Sequence, residues 1–108
     1  MYGLSKETDL SFLLRKRLER VDVSEHQAQL HFSGAISISI EGECELDREA
    51  IVFEQLKSLT GKSVSGATVQ NKGTLNIVFD GGRRLSILDS NENYESYQIT
   101  GPGVNIVV

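Results

Sequence analysis

Three glutamates at alternate positions near the middle of the chain form the first group whose chemistry could matter. In one extended strand Glu41, Glu43 and Glu45 would share a face, roughly 7 Å apart. Neighbouring carboxylates add their potentials, so such a stripe could attract a basic partner. The alternative is a solvated outer face that keeps the sheet from associating with others. Paired glycosidase acids flank a cleft, so one flat strand does not predict hydrolysis.

A second group combines tyrosine and glutamate near the C-terminus. Residues 94–99 alternate like a strand, which places Glu95 and Tyr97 on the face of Ile99 and Tyr94 on the opposite face. If Ile99 faces the core, Glu95 turns inward and its carboxylate needs a partner. We interpret this group as a structural lock, and the alternative is a binding pocket. The candidate lock or pocket comprises Glu95, Tyr97, Arg83 and Arg84. Tyr94 joins the three glutamates as a candidate interaction residue.

The remaining reactive side chains do not form a recognisable site. His26 lies in a predicted turn, and His31 alternates with apolar neighbours, so it should point away from the core. The two histidines are not spaced to share a metal, and we expect neither a metal nor another cofactor. Cys44 occupies one of the alternate apolar positions of its strand, so we interpret it as a small buried hydrophobic residue. Asp80-Gly81-Gly82 is flanked by strands, so it predicts a hairpin turn and not a phosphate-binding loop.

Composition narrows the class of protein. The chain has 108 residues, which is the size of one domain. Its formal net charge is −4, whereas nucleic-acid-binding domains usually carry an excess of positive charge. A basic cluster at positions 15–20 reads as a solvated face. No apolar stretch reaches the roughly 20 residues of a membrane span, and the N-terminus does not resemble a signal peptide. The single cysteine fits a reducing cytoplasm.

Apolar spacing predicts two helices among period-two strands. Thr8 or Ser5 could cap a first helix, whose apolar face would be formed by Leu10, Leu13 and Leu14. Asp47 could cap a second helix that ends near Gly61. Its apolar face would comprise Val52, Leu56 and Leu59, with Ile51 and Phe53 alongside. The strands between these helices are joined by short turns, so we expect antiparallel meanders.

Apolar residues recur at matching positions in the two halves of the chain. Leu13, Lys16 and Val23 align with Leu59, Lys62 and Val69, and the turn residue Gly34 aligns with Gly81. We therefore predict an α+β fold of two similar helix-plus-meander units, about 5–46 and 47–108, within one domain. Arg15 stands where the second unit has Gly61, so the first turn should be built differently. The Gly-Pro-Gly turn at 101–103 predicts a closing hairpin.

The second half also carries a family resemblance. The Gly61-Lys62-Ser63-Val64 segment, the alternating strand at 75–79, the Asp80-Gly81 turn and the Tyr94-Glu95-Ser96-Tyr97 segment resemble a family of small uncharacterised bacterial α+β proteins. The stretch 29–43 is also similar to members of such families. The resemblance implies no activity or catalytic residue. Some relatives look like immunity proteins, which implies a binding role by analogy of fold.

These observations favour a bacterial, cytoplasmic, non-enzymatic protein that binds another protein and acts in an immunity-like or regulatory role. The alternative is a small-ligand-binding or enzymatic domain with a pocket near Glu95 and Tyr97. The last strand, 104–108, could also form a free sheet edge that pairs with a second copy to give a homodimer. We expect neither nucleic acid nor membrane as a partner.

Overall fold

The described part of the protein consists mainly of β-strands. The computed structural model describes residues 10–70, 73–88 and 97–107. These residues form two five-stranded antiparallel sheets. The strands are β1 (Leu18–Val23), β2 (Ala28–Phe32), β3 (Ile36–Ile40), β4 (Cys44–Leu46), β5 (Glu49–Ala50), β6 (Val64–Val69), β7 (Leu75–Phe79), β8 (Arg84–Ile87), β9 (Tyr97–Gly101) and β10 (Val104–Val107).

Each sheet takes strands from both halves of the chain. The first sheet has the order β1-β2-β3-β9-β10, and the second has the order β5-β4-β8-β7-β6. In the first sheet a meander of three consecutive strands meets the C-terminal hairpin, with Ile38 opposite Ile99. In the second sheet the β6–β8 meander meets the β4–β5 hairpin, with Glu45 opposite Ser86. Neither half can therefore complete a sheet alone.

The predicted α+β fold of two successive helix-plus-meander units is wrong. The sheets exchange their hairpins, and the β4–β5 hairpin spans the predicted boundary between residues 46 and 47. Both helical segments are short 3₁₀ helices, Ser11–Leu13 and Phe53–Leu59. The predicted antiparallel pairing and the closing hairpin are present, with Pro102 and Gly103 as the two-residue loop of β9 and β10.

Burial along the second helix follows the spacing of a 3₁₀ helix. Phe53, Leu56 and Leu59 recur every third residue, which aligns them on one face of a helix with three residues per turn. Leu56 and Leu59 are fully buried, whereas Val52 precedes the helix and is 67% exposed. Asp47 does not cap this helix. Instead, the Gln55 side chain accepts a hydrogen bond from the Val52 N–H at 3.1 Å.

The first helical segment is a single 3₁₀ turn. Leu10 and Leu13 are buried as predicted, but Leu14 is 42% exposed because the chain is already extended there. Its proposed caps, Thr8 and Ser5, lie outside the described residues. Arg15 follows with a φ of +68°, in the same left-handed region as Gly61 at +90°. The expected difference between the two turns is therefore wrong.

One hydrophobic core lies between the sheets. The predicted period of two is confirmed, because the alternate apolar residues of β2, β3, β7 and β8 are buried. Phe32 and Phe79 stack across the two sheets with ring centroids 6.4 Å apart. The sheets also meet where β1 and β6 begin. There the Arg15 N–H donates to the Val64 carbonyl at 2.8 Å, and the Gly61 N–H donates to the Leu18 carbonyl at 2.7 Å.

Candidate functional site

The three candidate glutamates lie where the chain crosses from one sheet to the other. Glu41 and Glu43 are exposed residues between the end of β3 and the start of β4, and Glu45 is a half-buried residue of β4. They therefore do not share one continuous strand, contrary to the prediction. The crossover is fastened to the second sheet, because the Leu88 N–H donates to the Glu43 carbonyl at 3.0 Å.

This crossover forms one wall of an apolar groove of about 480 Å³. The segment from β5 into the second 3₁₀ helix and the turn after β1 also line this groove. Its lining comprises Val23, Ser24, Glu25, Gly42, Glu43, Cys44, Glu45, Ala50, Ile51, Val52, Phe53, Glu54 and Leu88. A second open groove of about 710 Å³ shares Ser24, Glu25 and Phe53 with it and extends to Glu41 and His26. We call the two together the acidic groove.

Every charged residue that lines the first part of the acidic groove is a glutamate. Glu54 pairs with Lys57, with an N–O distance of 2.6 Å, and Glu25 lies 3.6 Å from the His26 ring nitrogen. Glu41, Glu43 and Glu45 have no ion-pair partner within the described part of the chain. The groove therefore combines an apolar lining with three glutamates that have no ion-pair partner among the described residues.

Cys44 lies in the wall of the groove but is only 2% exposed. Burial raises the pKa of its thiol to about 11, because a thiolate would lose its hydration there. The nucleophilic form of cysteine is the thiolate, so this thiol is unreactive at neutral pH. Cys44 therefore contributes apolar surface to the groove, in agreement with its interpretation as a small hydrophobe.

Arg83 and Arg84 bind Asp47 at the other end of the second sheet. Asp47 is the first residue of the β4–β5 turn, and its carboxylate accepts hydrogen bonds from Arg83 Nε at 2.6 Å and from the Arg84 backbone N–H at 3.0 Å. These bonds hold the pKa of Asp47 below its ordinary value, the Arg84 N–H being the larger cause and the Arg83 side chain the next. The cluster fastens the β4–β5 turn to the β7–β8 turn.

Tyr97 and these arginines lie near opposite ends of β7. It is 1% exposed, and its hydroxyl donates a 2.6 Å hydrogen bond to the Gly73 carbonyl, just before β7 begins. Arg83 lies beyond the end of β7, so the structure does not bring Tyr97 and the arginines together. The cavity beside Tyr97 measures about 20 Å³, which is room for about one water molecule. Tyr94 and Glu95 lie outside the described residues.

The sequence analysis missed a hydrogen-bonded chain of Asp22, His31 and Ser37. His31 points outward as predicted, with Nε2 2.9 Å from Asp22 Oδ2 and Nδ1 3.2 Å from Ser37 Oγ. The residue types are those of a serine hydrolase, but β2 and β3 are interior strands whose backbone N–H groups serve the sheet. The backbone N–H groups of β2 and β3 are therefore not available to stabilise an oxyanion. Only the register of β1, β2 and β3, which the sequence does not specify, places the three side chains together.

The described residues contain no group of three or more His, Cys, Asp or Glu side chains that could hold a metal ion. Neither of their helical segments has the length and apolar character of a membrane span.

Comparison with known proteins identifies the family and nothing finer. No curated protein and no solved structure matches the chain. The model of a family of unknown function, DUF6188, matches residues 11–108, which confirms the expectation of an uncharacterised family. Because this match covers almost the whole sequence, the chain belongs to the family of unknown function DUF6188.

Proposed function

We propose that the protein is a non-enzymatic protein-binding module and that the acidic groove is its interaction surface. One observation carries the proposal: an apolar groove of about 480 Å³ whose rim holds glutamates without ion-pair partners in the described structure. Burial of apolar surface favours association, and unneutralised charge selects and steers the partner. Tyr94, the fourth candidate interaction residue, stays a prediction.

The chemistry of the reactive residues supports binding without catalysis. The Cys44 thiol has a pKa of about 11, so it is not a nucleophile at neutral pH. Beside the Asp22–His31–Ser37 chain, the backbone N–H groups of β2 and β3 bond within the sheet and are not free to stabilise a tetrahedral intermediate. Both groups have simpler structural roles, as apolar wall and as cross-strand hydrogen bonds.

Immunity-like and regulatory proteins both use a surface that recognises a partner without transforming it. We propose such a role in a bacterial cytoplasm, a compartment in which the single cysteine stays reduced.

Affinity capture with matched variants tests the proposal. The protein would be immobilised in a lysate of the bacterium that carries the gene, beside a Glu43→Lys, Glu45→Lys variant and a Glu19→Lys, Asp80→Lys control. The control has the same change in net charge at exposed positions outside the groove. We expect an identified protein that binds the wild type and the control but not the groove variant.

Thermal unfolding of all three proteins would show that each is folded. If every captured protein bound the groove variant as well as the control, the acidic groove would not be the interaction surface and the proposal would be wrong.

A second copy of the chain is a further partner that the topology favours. Within the described residues β10 is an outer strand of the first sheet and pairs with β9 alone, which leaves its other flank for another strand. We propose a homodimer in which the β10 strands of two copies pair.

A further inference from the structure

The occupant of the acidic groove can be specified further, on the basis that the groove is the binding surface proposed above. We infer that it is an extended cationic segment of a partner protein, in which one apolar side chain lies between lysine or arginine residues. The apolar side chain would enter the groove, and the basic residues would meet Glu41, Glu43 and Glu45.

The apolar part of the segment follows from the groove lining. Val23, Ile51 and Phe53 are partly buried and pack against the core, so they present a fixed apolar floor. Val52, at the rim, is 67% exposed and would lose contact with water when a side chain enters. A volume of about 480 Å³ lies within the range of pockets that hold small molecules or side chains.

The basic part follows from charge complementarity. Glu43 and Glu45 line the groove beside the apolar floor, and Glu41 lines its continuation, so the unneutralised charges lie along the path of a segment that crosses both parts. Each exposed ion pair changes affinity by up to about five-fold, so several pairs are needed for a clear preference. A segment with basic residues on both sides of its anchor supplies them.

The backbone of β5 favours an extended conformation in the segment. Ile51 donates to the Cys44 carbonyl, and Ala50 lies opposite Glu45 in the register of β4 and β5. Because hydrogen-bonded pairs alternate in antiparallel strands, the N–H and C=O of Ala50 point away from β4. Ala50 and Glu43 both line the groove, so an extended segment bound there could form backbone hydrogen bonds with Ala50.

The exposure of the carboxylates argues against a small ligand. Small-molecule sites orient their ligands with a few buried polar groups that converge on one point. Here Glu25, Glu41, Glu43 and Glu54 are exposed, and Glu45 is half-buried. Charges spread along an open surface recognise a polymer better than they orient a compact molecule.

Selection from a phage-displayed library of random peptides tests the inference. The peptides would have about 12 residues, enough to span roughly 40 Å when extended. Peptides that bind the wild-type protein would then be incubated with an Ala50→Trp variant, and those that still bind would be removed. Position 50 is an exposed strand position in the groove lining, so the indole of this variant fills the groove. Thr68→Trp, at an exposed position on the opposite edge strand of the same sheet, is the control.

Three outcomes are distinguishable. Binders that need the groove and share an apolar residue between lysines or arginines support the inference. Synthetic copies of them should bind about ten-fold or more weakly when the anchor becomes alanine. Binders that need the groove but are not basic would overturn the inference and leave the proposed function standing. If Ala50→Trp retained every binder that Thr68→Trp retains, the proposed function would fail as well.

Discussion

At the scale of single residues, Asp47 shows how one carboxylate can hold two turns together. It bonds to Arg83 and to the Arg84 backbone, and both bonds favour its ionised form. Asp47 was predicted to cap the second helix. Its real position is a two-residue turn in which Asp47 and Arg48 both have positive φ, at +53° and +72°. Nothing local distinguishes an aspartate that caps a helix from one in such a turn.

The ionised Asp47 leads to a pH-dependent prediction. Its pKa is lower in the folded protein than the roughly 3.9 of an unfolded chain. The stabilisation is therefore complete above about pH 4 and is lost as the pH falls through the folded-state pKa. We expect Asp47→Asn to lower the urea midpoint at neutral pH, and we expect the difference from wild type to shrink on acidification. Asn still tolerates the positive φ at this position.

Asp80→Asn is the matched control, because Asp80 is an exposed aspartate of the neighbouring turn without an ion pair in the described part. A midpoint difference for Asp47→Asn that stayed constant from neutral to acidic pH would contradict the electrostatic explanation.

At the scale of elements, the spacing of apolar residues predicts the strands but not the type of the second helix. The alternation of apolar residues identified β2, β3, β7 and β8, because the face of a strand residue depends only on its place in the strand. Apolar residues at positions 52, 53, 56 and 59 fit α and 3₁₀ spacing almost equally well. The structure resolves the choice by burying Leu56 and Leu59 and exposing Val52.

Substitutions in this helix test that assignment. Leu56 is fully buried, so Leu56→Ala should lower the free energy of unfolding by about 2–5 kcal/mol. Val52→Ala should change it by about 0.5 kcal/mol or less, because Val52 is mostly exposed. Chemical denaturation would measure both. In an α-helix with Val52, Leu56 and Leu59 on one buried face, the two substitutions would have similar effects, and that result would contradict the structure.

At the scale of the whole molecule, the sequence could not predict which strands pair. β3 pairs with β9 and β4 pairs with β8, and each pair is separated by dozens of residues. The local pattern of residues does not show which distant strands pair, so β4 and the closing hairpin were each assigned to the wrong unit. The acidic groove was missed for the same reason, since its walls come from the crossover between sheets and from β5. The spacing of the glutamates made them candidates, but it placed all three on one strand, whereas Glu41 and Glu43 lie on the crossover.

Tyr97 is one of the contacts that join the two sheets. It belongs to β9 of the first sheet, and its hydroxyl binds the Gly73 carbonyl at the start of the β7 region of the second. Tyr97→Phe should lower the free energy of unfolding by about 1–3 kcal/mol, because the buried carbonyl loses this donor.

Ser65→Ala is the control for loss of a hydroxyl group, since the Ser65 hydroxyl bonds to the Val78 carbonyl at an exposed position. Equal effects of the two substitutions in urea unfolding would show that the Tyr97 bond does not contribute as a buried contact.

The proposed dimer can be tested through the backbone of β10. Gly101 and Val104 flank the two-residue loop, so Asn105 falls in a non-hydrogen-bonded pair with Thr100 and its N–H faces away from β9. Asn105→Pro therefore removes a donor from the free edge without removing a β9–β10 ladder bond. Asn105→Ala keeps that N–H while losing the side-chain bond to Gln98.

In light scattering we expect wild type and Asn105→Ala to have twice the monomer mass of 11.9 kDa, and Asn105→Pro to be monomeric. A monomer mass for wild type at high concentration would exclude the dimer, and a dimeric Asn105→Pro would place its interface elsewhere.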